Sequence, residues 1–123
     1  MTVKEAIEQA DSMRPNMCED AQKCTWLTEL DGRVIAEIFD AHEGFEGISR
    51  PAYVIGNRLE EMLAPDPYSV MYIYWIFMKI DFMNGEFDRF NNDAIMFNTA
   101  WLSFSNHINR THAPKKRAKI ENV

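Results

Sequence analysis

Hydrophobic positions recur along this chain with the rhythm of α-helices. The plainest case is the series Phe87, Phe90, Ala94, Phe97, Trp101, Phe104 and Ile108, which alternates steps of three and four residues. It predicts a helix from about Glu86 to Thr111. A shorter stripe, Val3–Ile7–Ala10, predicts a helix that starts at Thr2 and runs to about Met13. Thr2 and Glu5 have the spacing of a capping box, and Pro15 disfavours a helical Arg14. With so few apolar residues this helix must dock its stripe on something larger. Trp26, Leu27, Leu30, Val34, Ile38 and Phe39 predict a second helix over Glu19–His42, with Asp31–Gly32 tolerated inside it because the period continues in phase.

Residues 43–65 break the pattern. Three Gly and three Pro fall in and around this stretch, and a short strand or hairpin near Ala52–Ile55 fits its β-branched and aromatic residues. A connection this long in a small domain usually serves as a contact arm. Helical character returns after Asp66, a natural N-cap with Pro67 at the first helical position. Val70, Met71, Ile73, Trp75, Ile76, Phe77, Met78 and Ile80 make this third helix apolar on nearly every side. Such a helix is central in a core or shared with another subunit. Asn84–Gly85 stops it, and the short link to the last helix makes the two an antiparallel hairpin. The predicted architecture is all-α: a small bundle of about four helices with a C-terminal antiparallel helical hairpin. A long, partly extended arm lies between helices two and three. Residues 1–112 form one helical domain and 113–123 a basic tail.

The Phe87–Ile108 seam has two readings. Three-four steps suit a coiled coil, yet its members are Phe, Trp and Ala, and its flanks are Asn-rich (Asn91, Asn92, Asn98, Asn106, Asn109) where zipper flanks carry opposite charges. Large rings, each burying on the order of 150–250 Å², suit a globular core. Packing against helix three is therefore the expectation, and a subunit contact is the alternative.

Composition fits a soluble globular chain: 123 residues, 46% hydrophobic and 26% charged. Charge is uneven. Residues 1–112 carry nine basic and eighteen acidic side chains, whereas 113–123 carry four basic and one acidic. The acidic body repels nucleic acid at long range, so DNA contact is expected to be transient at most. Lys115, Lys116, Arg117 and Lys119 form the only basic cluster and the one candidate interaction segment, although such runs are ordinarily solvated ends.

Residues 1–13 are polar and unlike a secretory signal. The longest apolar run, Val70–Met78, has nine residues against the roughly 20 that span a bilayer. No membrane association is expected. Cys18 and Cys24 would point to different faces of one helix, so two free thiols in a reducing compartment are expected.

Catalytic and metal patterns are weak. The acidic group Asp81, Asn84, Glu86 and Asp88 lacks the ligand order of a calcium loop and reads as helix-junction solvation. His42, His107 and His112 are scattered and read as surface histidines. No glycine-rich phosphate loop or GxSxG setting occurs. The expectation is a non-enzyme with no cofactor, no metal and no catalytic residue.

Several stretches carry a resemblance: "VKEAIEQADSMRPN", "WLTELDGRV", "MLAPDPYSVMYIYWIFMKID", "NGEFDRFNNDAIMFNTAW" and "INRTHAP". Together they cover most of the chain from Val3 to Pro114, and residues 43–61 and the basic tail lie outside them. In them the chain resembles small proteins of tailed bacteriophages and Gram-positive prophages that act as head–tail connectors (adaptors). The resemblance implies a structural protein that forms a homo-oligomeric ring beneath the portal and contacts portal and tail-joining proteins. It implies a place in the virion, after assembly in the host bacterial cytoplasm. The "PKKRAKIENV" tail lies outside the matching stretches. A small phage-encoded DNA-binding or regulatory helical module is the alternative, and the acidic body counts against it.

Overall fold

The computed structural model describes residues 1–115. It is all-α. Four helices, α1 (Val3–Met13), α2 (Asp20–Arg33), α3 (Val70–Met83) and α4 (Phe87–Thr111), pack around one hydrophobic core. The described residues contain isolated β-bridges but no strand.

The capping box at the start of α1 forms as the sequence predicts: Glu5 N–H donates to Thr2 Oγ1 and Thr2 N–H to Glu5 Oε1. Two further free amides of this helix end, Val3 and Lys4, donate to the carbonyls of Glu60 and Arg58 in the arm. Val3, Ala6, Ile7 and Ala10 are buried, so the short helix is held by its docked stripe.

The helical path predicted over Glu19–His42 is continuous in course but not in type. After Arg33 it widens into a π-turn, Val34–Ile38, and closes with a 3₁₀ turn, Phe39–Ala41. A regular helix would swing Phe39 about 100° past Ile38. The wider turn lets Val34, Ile38 and Phe39 all face the core. Gly32 is tolerated within α2 for a reason absent from the periodicity. The Arg50 guanidinium of the arm lies against it, in the space a Cβ would take.

The strand proposed near Ala52–Ile55 does not form. Tyr53 N–H donates to Thr28 Oγ1 at 2.9 Å, and Val54–Asn57 closes a turn through Asn57 N–H to Val54 O at 3.0 Å. The arm thus spends its hydrogen bonds on α2 and on itself. Helix three begins later than predicted. Residues 66–69 form a turn, the Asp66 carboxylate accepts from the Ser69 hydroxyl, and α3 starts at Val70.

The α3–α4 hairpin is as expected, with a three-residue link, Asn84–Glu86, somewhat longer than the one or two residues anticipated. Gly85 takes φ +71°, Gly85 N–H donates to Phe82 O, and Glu86 N–H donates to Asp81 O. This pair of bonds is a Schellman stop, and it requires the left-handed backbone that glycine adopts most easily.

The aromatic seam divides in two. Phe97, Phe104 and Ile108 are buried, joined by Asp93 and Ala100, whereas Phe90, Ala94 and Trp101 are half-buried and Phe87 is 59% exposed. The cause is the twist between a straight helix and a strict three-four repeat, which drifts off one partner over three heptads. A truncation pair tests the division by chemical denaturation. Phe104→Ala is expected to cost about 3–5 kcal/mol, and Phe87→Ala well under about 1 kcal/mol.

Candidate functional site

Three local arrangements stand out: a buried carboxylate that anchors the arm, a charged triad at the hairpin, and an open apolar groove. Asp31 is completely buried. Its Oδ2 accepts from Tyr53 Oη at 2.5 Å and from Leu63 N–H at 3.1 Å, and its Oδ1 accepts from Tyr72 Oη at 2.5 Å. Tyr72 Oη in turn accepts from Ala64 N–H. One helix residue therefore holds both ends of the arm's inner segment and α3. Burial raises the Asp31 carboxyl above its ordinary range, against the lowering effect of the two phenols and the amide. Burial, followed by the neighbouring Asp31 charge, raises the phenols of Tyr53 and Tyr72. These tyrosines act as fixed donors.

At the exit of α1, Arg14 turns onto the hairpin. Its guanidinium stacks 4.3 Å from the Phe77 ring centre and pairs with Asp81 and, at 3.3 Å, with Asp93. Pro15 follows Arg14, which has left the helix (φ −133°, ψ 88°), so the side chain is free to point inward. One cation between two buried carboxylates leaves an excess negative charge. Burial and the hydrogen bond with Asp81 raise the Asp93 carboxyl to about 6, while Arg14 opposes the rise.

The groove lies between α2, α3 and the start of α4. Trp26, Trp75, Met78, Lys79, Phe82, Met83 and Phe90 line about 350 Å³ of space. Trp75 Nε1–H donates to Trp26 O, which satisfies its only donor and leaves the indole as an apolar wall. Lys79 Nζ sits 4.7 Å from the Trp75 ring centre and 4.0 Å from Glu29. Phe82 packs its edge on Phe87 and tilts against Phe90.

The other residues singled out in the sequence scatter. Lys115 is exposed, and its backbone N–H donates to Ala41 O. Lys116, Arg117 and Lys119 lie outside the described residues. Of the acidic group, Asp81 is buried in the triad, while Asn84, Glu86 and Asp88 are exposed around the helix stop. Among the described residues, no three His, Cys, Asp or Glu side chains are placed to hold a metal ion. Both cysteines are free. Cys24 is buried, and Cys18 precedes α2, where a helical position was expected. No described helix is long and apolar enough to cross a membrane.

Of the three histidines expected at the surface, His42 is buried and His107 and His112 are half-buried. His42 is buried, with Nδ1–H donating to Ile38 O and Nε2 pairing with the Asn109 carboxamide, both at 2.7 Å. His107 stacks on Tyr68 at 4.7 Å, and His112 tilts over Phe45 at 4.3 Å. Packing explains all three. Sequence reasoning also passed over Asp31, Asp93 and Arg14. The signal existed for both acids: Asp31 lies four residues after Leu27, and Asp93 four before Phe97, each in phase with a core stripe.

No protein-family model, curated protein or solved structure matches this chain.

Two outcomes follow from the buried charges. Asp31→Ala strands two buried phenols and an amide, and is expected to lower stability by about 3 kcal/mol or more in urea unfolding. Tyr53→Phe removes one donor and should cost about 1.5–3 kcal/mol. For Asp93, burial lifts the folded carboxyl to about 6, against an ordinary value of 3.8 in the unfolded chain. The folded state then holds more protons between these values, so Asp93 destabilises at neutral pH and its penalty is relieved as pH falls through about 6 towards 4. Asp93→Asn should be more stable than wild type at pH 7.5. Its stability should also rise less on going to pH 5, as read by paired denaturation curves.

Proposed function

We propose that this chain is a structural, non-enzymatic subunit of a tailed-phage head–tail connector, which assembles with copies of itself beneath the portal and engages tail-joining proteins. The observation that carries the reading is the apolar groove at the closed end of the hairpin. Four of its seven lining residues, Trp75, Met78, Lys79 and Phe90, fall in two stretches that bear the resemblance, "MLAPDPYSVMYIYWIFMKID" and "NGEFDRFNNDAIMFNTAW", and Phe82 and Met83 lie between those stretches. Phe82 and Met83 are 59% and 62% exposed there. A contiguous apolar opening on a helical body marks a contact surface for another macromolecule. The acidic body supports a further part of the reading, because a surface of that sign lets packaged DNA pass without adhering.

Purified chain mixed with its cognate portal tests this by negative-stain microscopy. A ring seated on the portal is the expected result, and absence of any portal-dependent assembly sinks the proposal. Phe82→Asp, an exposed position, should leave the fold intact by circular dichroism and weaken assembly about tenfold or more.

A further inference from the structure

The outer face of α4 carries no Asp, Glu, Lys or Arg between its two ends. Phe97, Phe104 and Ile108 turn to the core, and on the other side Asp88, Ile95, Thr99, Leu102, Asn106 and Arg110 are exposed. At 100° per residue these six fall within roughly 60° of one line along the helix. In a chain that is 26% charged, the only acid or cationic side chain between Arg89 and Arg110, histidine aside, is the buried Asp93. The exposed residues between those ends are Asn, Thr and Ser, with Ile95, Met96 and Leu102 at 62%, 46% and 58% exposure. Solvated helix faces ordinarily carry charges. The centre of a contact surface is where charges are depleted, with a polar rim around it.

The charges that bound this face select its partner. Asp88 and Arg110 each lie eleven residues from Thr99, and neither has an ion-pair partner among the described residues. Each suits its own helix dipole, acid in the first turn and base in the last. That accounts for the ends but not for the neutral stretch between them. A second copy laid antiparallel about a twofold axis at Thr99 sets Asp88 beside Arg110 at both ends, whereas a parallel copy opposes like charges. Nearby charges agree: Glu86 and Arg89 offset each other at one end, and Lys115 adds to Arg110 at the other. The loop that bears Glu43 and Glu46 docks through His42 on Asn109, about 100° around the helix from Arg110. Asn92 and Asn106 also stand equally far from the axis, so their amides oppose one another and can exchange hydrogen bonds.

We infer that α4 pairs antiparallel with α4 of a second copy of this chain, across the Ile95–Thr99–Leu102 face. The seam is about 37 Å long and one helix wide, roughly 10 Å, so it covers about 400 Å² on each copy. This is the size of a weak, reversible association. The inference does not rest on the connector reading, because a twofold pair is closed and describes the chain away from a portal.

Sedimentation velocity on the full chain, from micromolar to millimolar concentration, is expected to show a reversible dimer. Asp88→Arg and Arg110→Asp should each weaken it several-fold, because each creates two like-charge contacts per pair. Both reversals in one chain should restore it. Leu102→Glu should weaken it at least several-fold, with helicity kept by circular dichroism. Thr99→Cys and Asn92→Cys, each in a Cys18→Ser background, report the orientation on oxidation. Position 99 lies on the axis and is expected to cross-link to itself at several-fold higher yield than position 92. A chain that stays monomeric at millimolar concentration overturns the inference. So does a dimer insensitive to Leu102→Glu, and so do equal yields at positions 99 and 92, which parallel or random encounters give. Rings on the portal with no free dimer count against this pairing and leave the connector reading in place. A free dimer with this orientation and no portal assembly does the reverse.

Discussion

Asp31 sits at the point where the bundle and the arm become one structure. A carboxylate with no solvent exposure is costly unless its lone pairs are filled. Here they are filled by two phenols and a backbone amide drawn from three separate parts of the chain. Without that acceptor, the Tyr53 phenol and the Leu63 amide would lose their partner, and the arm would keep only its bonds to α1, Thr28 and Asp20. The neighbouring contacts follow from the same docking. Arg50 can lie against Gly32, Arg58 reaches Asp20, and the carbonyls of Arg58 and Glu60 cap the free amides of α1. A polar residue at a core position thus gives specificity to a connection that burial alone would leave loose.

The Arg14–Asp81–Asp93 triad works with the opposite economy. It links α1 to both helices of the hairpin, yet it encloses one more negative charge than positive. Ion groups like this hold geometry more than they add stability. Its position beside the Schellman turn matters, because the same Asp81 supplies the carbonyl that ends α3. The closed end of the hairpin is therefore fixed both by backbone and by charge.

How much of this the sequence discloses depends on whether the cause is local. The capping box at Thr2–Glu5, the Pro15 stop and the Gly85 stop are set by neighbours within a few residues, and all are legible. The four-helix all-α class is legible too, since it follows from period alone. The arm is not. Tyr53 chooses between a strand partner and a helix residue twenty-two positions away, and only the tertiary arrangement decides that. Phe39 and the π-turn are hidden for a related reason, because a simple period cannot register one widened turn. The groove was half visible. Helix three is apolar all round, which signals more than one packed face, but nothing local says which flank stays open.

Anchoring contacts in the arm and in the hairpin set where the exposed apolar residues stand. Single exposed hydrophobics are ordinary on any protein. Phe82, Phe87 and Phe90 partly shield one another by ring packing, which keeps the groove from collapsing and limits the apolar surface a lone copy presents to water. Tyr53, next to Val54, is held by Asp31, so the position of this turn is set by the chain's own fold. Association costs translational and rotational freedom as well as any ordering of loops and side chains, and the second cost is smaller where a surface is already held in place. The buried carboxylate that joins the arm to the bundle is thus also what sets where the arm's exposed apolar residues stand.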